Sequence, residues 1–100
     1  LFRSFALRKM HFMLRARAIV AYPGGFGSFD ELFEVLTLMQ TKKVVPIPVI
    51  LVGKDYWGEM VNFKRMAEFG VIDRADMDSI HFSETAQEAW QVINDWYQLG

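Results

Sequence analysis

The chain has 100 residues, carries a formal net charge of −1 and contains no cysteine. That length allows one small domain, the charge gives no global pull toward nucleic acid or an anionic membrane, and the lack of thiols excludes disulfides and thiolate metal sites. A hydrophobic share of 52% is ample for a core, while the longest apolar run, around Val44 to Val52, is too short and too broken by proline to span a bilayer. No signal peptide is visible, and a cytoplasmic protein is expected.

The chain opens at Leu1, inside a helical pattern and without an initiator Met. The expectation is therefore a single α/β domain over 1–100, a fragment that lacks its N-terminal strands. Phe2, Phe5, Ala6, Met10, Met13 and Leu14 recur at helical spacing and predict a helix over 2–16. Arg3, Arg8, Lys9, Arg15 and Arg17 all precede the first acid and create a local positive field. Ser4, Arg8, His11 and Arg15 share a second face of this helix, which is either solvated or turned toward a site.

Ile19 to Tyr22 reads as a buried strand: short, apolar and stopped by Pro23. Three glycines follow within four residues, in the spacing Gly24-Gly25-x-Gly27. Glycine is needed where φ is positive or where backbone must approach a ligand with no Cβ in between. Ser28-Phe29-Asp30-Glu31 has the form of a capping box with Ser28 as N-cap. A strand, a glycine turn and a helix N-terminus together make an anion site, with free N–H groups and the positive end of the helix dipole converging. The spacing is neither that of the dinucleotide fold nor that of the P-loop, so a tight turn with no ligand stands beside phosphate binding. Glu31 likewise has two readings, a cap carboxylate or a general base.

Phe29, Leu32, Phe33, Leu36 and Met39 form the core stripe of a helix running to about Gln40. Val44 to Pro48 must be extended because residues before proline avoid the α region. Val49 to Val52 reads as a central parallel strand, apolar on both faces. Gly53-Lys54-Asp55 turns at its carboxyl end, the usual ligand side of such a sheet. A helix is predicted over Tyr56 to Phe69, ended by a Schellman stop at Gly70 and Val71. Asp73, Asp76 and Asp78 lack the glycine and distal glutamate of a calcium loop and read as caps and turn formers. Ser79 to Phe82 is a third strand, with His81 assigned to packing. Thr85 to Glu88 is a second capping box, and Ala86, Ala89, Trp90, Ile93, Trp96 and Tyr97 face one side of a closing helix. Alternating helices and strands predict a parallel α/β sheet with right-handed crossovers.

The run Pro23-Gly24-Gly25-Phe26-Gly27-Ser28-Phe29-Asp30-Glu31 resembles the P-G-G-x-G-T-x-x-E motif of the Lonely Guy family, long labelled "possible lysine decarboxylase". Arg8-Lys9 stands where that family has an Arg-Lys pair on the preceding helix, and Ser28 replaces the usual threonine. The resemblance runs from Arg8 to the last helix. It implies a Rossmann-like parallel sheet with flanking helices, of which this chain covers the C-terminal part. It also implies an enzyme that releases the base from a nucleoside 5′-monophosphate, a cytokinin ribotide or an AMP-like substrate, giving ribose 5-phosphate. On that reading Arg8 and Glu31 are catalytic, and Lys9, Gly24, Gly25, Phe26, Gly27, Ser28 and, less directly, Thr37 bind substrate and its phosphate. No metal and no cofactor are needed. The alternative is a module of the same fold that carries a nucleotide or molybdenum cofactor without hydrolysis.

Lysine decarboxylation would require a pyridoxal-phosphate Schiff-base lysine, and no lysine here has a recognisable setting for one. The resemblance further implies a homodimer or higher homo-oligomer. Phe5, Phe12, Met13 and Trp57 are more apolar side chains than so small a sheet is expected to cover. They are expected at a contact with the N-terminal half or with a second subunit.

Overall fold

The computed structural model describes residues 17–98; the helix expected over 2–16, with Arg8 and Lys9 on it, lies outside the described residues. Three strands form a parallel sheet in the order β1 (Ile19–Ala21), β2 (Val49–Val52), β3 (Ile80–Ser83). Between β1 and β2 runs α1 (Phe26–Gln40). Between β2 and β3 come α2 (Lys54–Met60), α3 (Phe63–Glu68) and a 3-10 segment, Arg74–Ser79. The chain closes with α4 (Ala86–Tyr97). This is the α/β, Rossmann-like arrangement expected from the order of elements.

The register pairs Ile19 with Val49 and Val49 with Ile80, so the three strands start level, and β1 ends one residue before the other two. All four residues of β2 are buried. Successive strand side chains point to opposite faces, and the two packing clusters follow that alternation. Val49 and Leu51 pack with Leu32, Val35, Trp57 and Phe63 from α1, α2 and α3. Ile50 and Val52 pack with Ala89, Val92 and Ile93 from α4. Fully burying side chains of this size stabilises the fold by about 1.5–3 kcal/mol each.

Four local readings need correction. The predicted helix over Tyr56 to Phe69 is two helices, because Val61 takes extended backbone and the Asn62 side chain accepts from the Arg65 N–H at 2.9 Å, starting α3 afresh. Trp57, expected at a subunit contact, is 0% exposed. Its ring meets Phe29 edge-on at 5.3 Å, so one small sheet does cover it. The first strand is shorter and wetter than expected, with Val20 and Tyr22 exposed. Trp90 is 57% exposed and lies off the packed face of α4, which Ala89, Val92 and Ile93 supply.

Other local readings hold. Gly70 (φ +80°) closes α3 with Gly70 N–H to Ala67 O at 3.0 Å and Val71 N–H to Met66 O at 3.1 Å, the two bonds of a Schellman motif. The Asp76 carboxylate accepts from the Asp73 N–H at 2.9 Å, so Asp73 and Asp76 form the cap of the 3-10 segment. Thr85 Oγ1 accepts from the Glu88 N–H at 3.0 Å and caps α4. His81 meets Trp96 edge-on at 5.9 Å, a packing contact. Among the described residues no helix is long and apolar enough to cross a membrane.

The turn after β2 depends on Gly53, whose φ is +95° and whose added Cβ would lie 3.3 Å from Pro23 Cγ. Gly53→Ala is expected to cost about 1–2 kcal/mol through the left-handed conformation, seen as a lower urea midpoint. An unchanged midpoint would show that the turn relaxes freely.

Candidate anion site at the glycine turn

Because the sheet is parallel, the turns after all three strands gather at one edge. The turn after β1 contains Pro23, Gly24 and Gly25; the turn after β2 contains Gly53; the turn after β3 contains Glu84. Backbone bonds tie them together: Gly53 N–H donates to Ser83 O at 2.8 Å, and Lys54 N–H donates to Glu84 Oε1 at 3.0 Å. The Tyr56 hydroxyl donates to the Gly24 carbonyl, anchoring the glycine turn to α2.

α1 begins earlier than the sequence pattern suggests. Its N-cap is Gly25, with φ −102° and ψ −147°, and no side chain caps it. Ser28 is therefore the third helical residue, not the cap, and the expected capping box with Glu31 does not form. The physical reason is the anchoring of the turn at Gly24: the chain is already fixed there, and helical geometry follows directly. The helix's first bond back to its cap is Phe29 N–H to Gly25 O at 3.2 Å. The N–H groups of Gly25, Phe26, Gly27 and Ser28 are those that an α-helix leaves without an intrahelical acceptor, at the positive end of its dipole.

The three glycines have different reasons to be glycine. None has positive φ, so conformation does not require them. A Cβ on Gly24 would collide with Ser28 Oγ, so the turn itself needs a bare Cα there. A Cβ on Gly25 or Gly27 would meet nothing within 4 Å. Their bareness leaves the backbone N–H groups open to an approaching ligand.

Beside this turn lies a cleft of ≈ 400 Å³, lined by β1, Tyr22, Pro23, Ser28, Glu31 and Leu32. Glu31 is exposed and three residues beyond Ser28, hence on the same face and about 4.5 Å further along the axis. Helical side chains lean toward the N-terminus, which carries the Glu31 carboxylate back toward Ser28. With capping excluded, the carboxylate has no structural duty at the helix start.

The structure thus brings Gly24, Gly25, Gly27, Ser28 and Glu31 to one edge. Phe26 joins them through its N–H, but its side chain is 95% exposed and borders a shallow groove on the other side of α1. Thr37 is nine positions past Ser28, about 13.5 Å along the axis. Its Oγ1 donates to Phe33 O at 2.7 Å, and it borders an apolar cavity of ≈ 720 Å³ near the amino ends of β2 and β3. Tyr56 had no place in the sequence reading. Its place in the first turn of the helix that follows a parallel strand was the available signal.

A family model described as possible lysine decarboxylase matches residues 1–93. The chain belongs to this family. It is the family whose glycine motif Pro23 to Glu31 resembles, and the match also spans Arg8 and Lys9. A comparison with curated proteins gave no match. The family's description mentions decarboxylation, yet the lysines among the described residues, Lys42, Lys43, Lys54 and Lys64, are all exposed, which is not the desolvated setting that activates an amine.

Gly27→Ala separates ligand chemistry from folding. Alanine is favoured over glycine inside a helix by up to about 1 kcal/mol, and its Cβ has open space, so stability should hold or rise. Binding of inorganic phosphate, read by calorimetry, should weaken. Unweakened binding would remove this part of the helix from the anion site.

Proposed function

We propose that the full-length protein is a nucleoside 5′-monophosphate phosphoribohydrolase acting in the cytoplasm on a cytokinin ribotide or AMP-like substrate. The observation that carries this reading is Glu31: an exposed carboxylate, free of capping duty, one turn beyond four open N–H groups and in the same cleft as Ser28. Family membership supports it.

The chemistry follows from the spacing. The 5′-phosphate binds at the start of α1, on the N–H groups of Gly25, Phe26, Gly27 and Ser28 and the Ser28 hydroxyl. The ribose then lies alongside the next turn, where Glu31 stands. As the bond between the anomeric carbon and the base nitrogen breaks, positive charge grows on the ribose, and the Glu31 carboxylate stabilises it. Glu31 also takes a proton from the water that attacks the anomeric carbon. The base leaves with a proton, and ribose 5-phosphate remains. Arg8 supplies a permanent charge that clamps the phosphate or steadies the departing base, with Lys9 as a second point charge.

The test is base release from AMP and from a cytokinin ribotide by the full-length protein, followed chromatographically. Glu31→Gln should lower turnover by about a hundredfold or more, the scale of losing a general base, with an unchanged melting temperature because no cap bond is lost. Tight nucleotide binding without turnover would sink the hydrolase and favour a carrier. Arg8→Lys keeps charge but loses the planar fork, so it should weaken binding or turnover clearly; Arg15→Lys, on the same helical face but outside the Arg-Lys pair, should not.

We further propose that the full-length protein works as a homodimer, the commonest closed assembly. Sedimentation at micromolar concentration should show a dimer that charged substitutions at Phe12 or Met13 weaken. An active monomer would overturn this.

A further inference from the structure

We infer that Tyr56 is a positioning residue for the anion site, setting the direction of the Gly25 N–H through the Gly24 carbonyl; this rests on the reading of the glycine turn as a phosphate site. The Tyr56 hydroxyl donates to Gly24 O. The Gly24–Gly25 peptide is trans, so its C=O and N–H point in opposite directions across a rigid plane. Fixing the carbonyl toward α2 turns the N–H of Gly25 away from α2. That N–H is the first of the four donors at the head of α1.

Three contacts make the anchor firm. The Tyr56 ring is half-buried and meets Trp57 edge-on at 5.3 Å, and Trp57 in turn meets Phe29 of α1 at 5.3 Å. Pro23, the residue before Gly24, sits beside Gly53, close enough that a Cβ there would lie 3.3 Å from Pro23 Cγ. Ser28 Oγ occupies the space where a Gly24 side chain would be. Gly24 is thus gripped at its carbonyl by Tyr56 and over its Cα by Ser28. Without the hydroxyl, the glycine peptide has no side chain to resist rotation, and the Gly25 N–H is no longer aimed before the ligand arrives. The cost falls on phosphate affinity, since the donor must be ordered at the moment of binding.

Tyr56→Phe in the full-length protein is the test, because it keeps the ring against Trp57 and removes only the hydroxyl. The KM for AMP should rise about three- to tenfold, the worth of one neutral hydrogen bond, with kcat within about twofold. That pattern marks lost binding common to ground and transition states. Inorganic phosphate, measured by calorimetry, should weaken by the same factor, while adenosine should bind as to the unaltered protein. Equal weakening of adenosine and AMP, or an unchanged KM and phosphate affinity, would overturn the positioning role. If the unaltered protein binds phosphate without hydrolysing AMP, the hydrolase reading fails, and the phosphate comparison alone decides the role of Tyr56. Failure of the unaltered protein to bind either phosphate or AMP would overturn both.

Discussion

Burial of β2 on both faces is the constraint on which the rest depends. A strand with every side chain inside must be covered by helices on each side, and α1 to α3 on one face and α4 on the other meet that need. Strands in a single parallel sheet must also all point one way. That direction brings the turns after β1, β2 and β3 to a common edge, where the Gly53 N–H bonds to Ser83 O and a side chain at Gly53 would crowd Pro23. The chemistry at the glycine turn is therefore a consequence of how four aliphatic residues escape water.

The same constraint explains why the head of α1 is open. A helix packed on a parallel sheet runs back toward the strands' amino ends, so its N-terminus is left at the carboxyl edge. There the backbone N–H groups lack partners unless a side chain or a ligand supplies them. In α4 that partner is Thr85, which accepts from Glu88. In α1 no side chain does so, and the glycines keep the approach clear. These two helix starts thus differ among the described residues: a side chain caps α4, and none caps α1.

Much of this was legible in the residues. Val49 to Val52 announced a central strand through an unbroken apolar run, and Gly70-Val71 announced a helix stop through the need for a left-handed residue. The glycine turn and Glu31 stood out because their spacing is rare and chemically purposeful. What was not legible depended on contacts across the fold. Ser28 has the pattern of a cap, but the helix starts upstream at Gly25, next to the Gly24 carbonyl that Tyr56, 28 residues from Ser28, bonds. Trp57 looked like surplus apolar surface until Phe29 and the core of β2 enclosed it. Asn62 did carry a local signal for a new helix, hidden by the apolar residues on both sides. The place of Arg8 and Lys9 relative to Glu31 lies outside the described residues.

The register of the sheet has a kinetic consequence. Ile19 pairs with Val49 and Val49 with Ile80, partners separated by 30 and 31 positions. No two strands can meet through a hairpin, so each pairing must wait for an intervening helical segment to compact and close a long loop. Local helices form within about a microsecond, well before the sheet exists. The apolar stripes of α1 and α4 gain their cover only when β2 is in place between them, so sheet closure and helix packing are coupled. The edge that carries the glycine turn depends on both pairings at once, because its turns take their positions from the strands they follow.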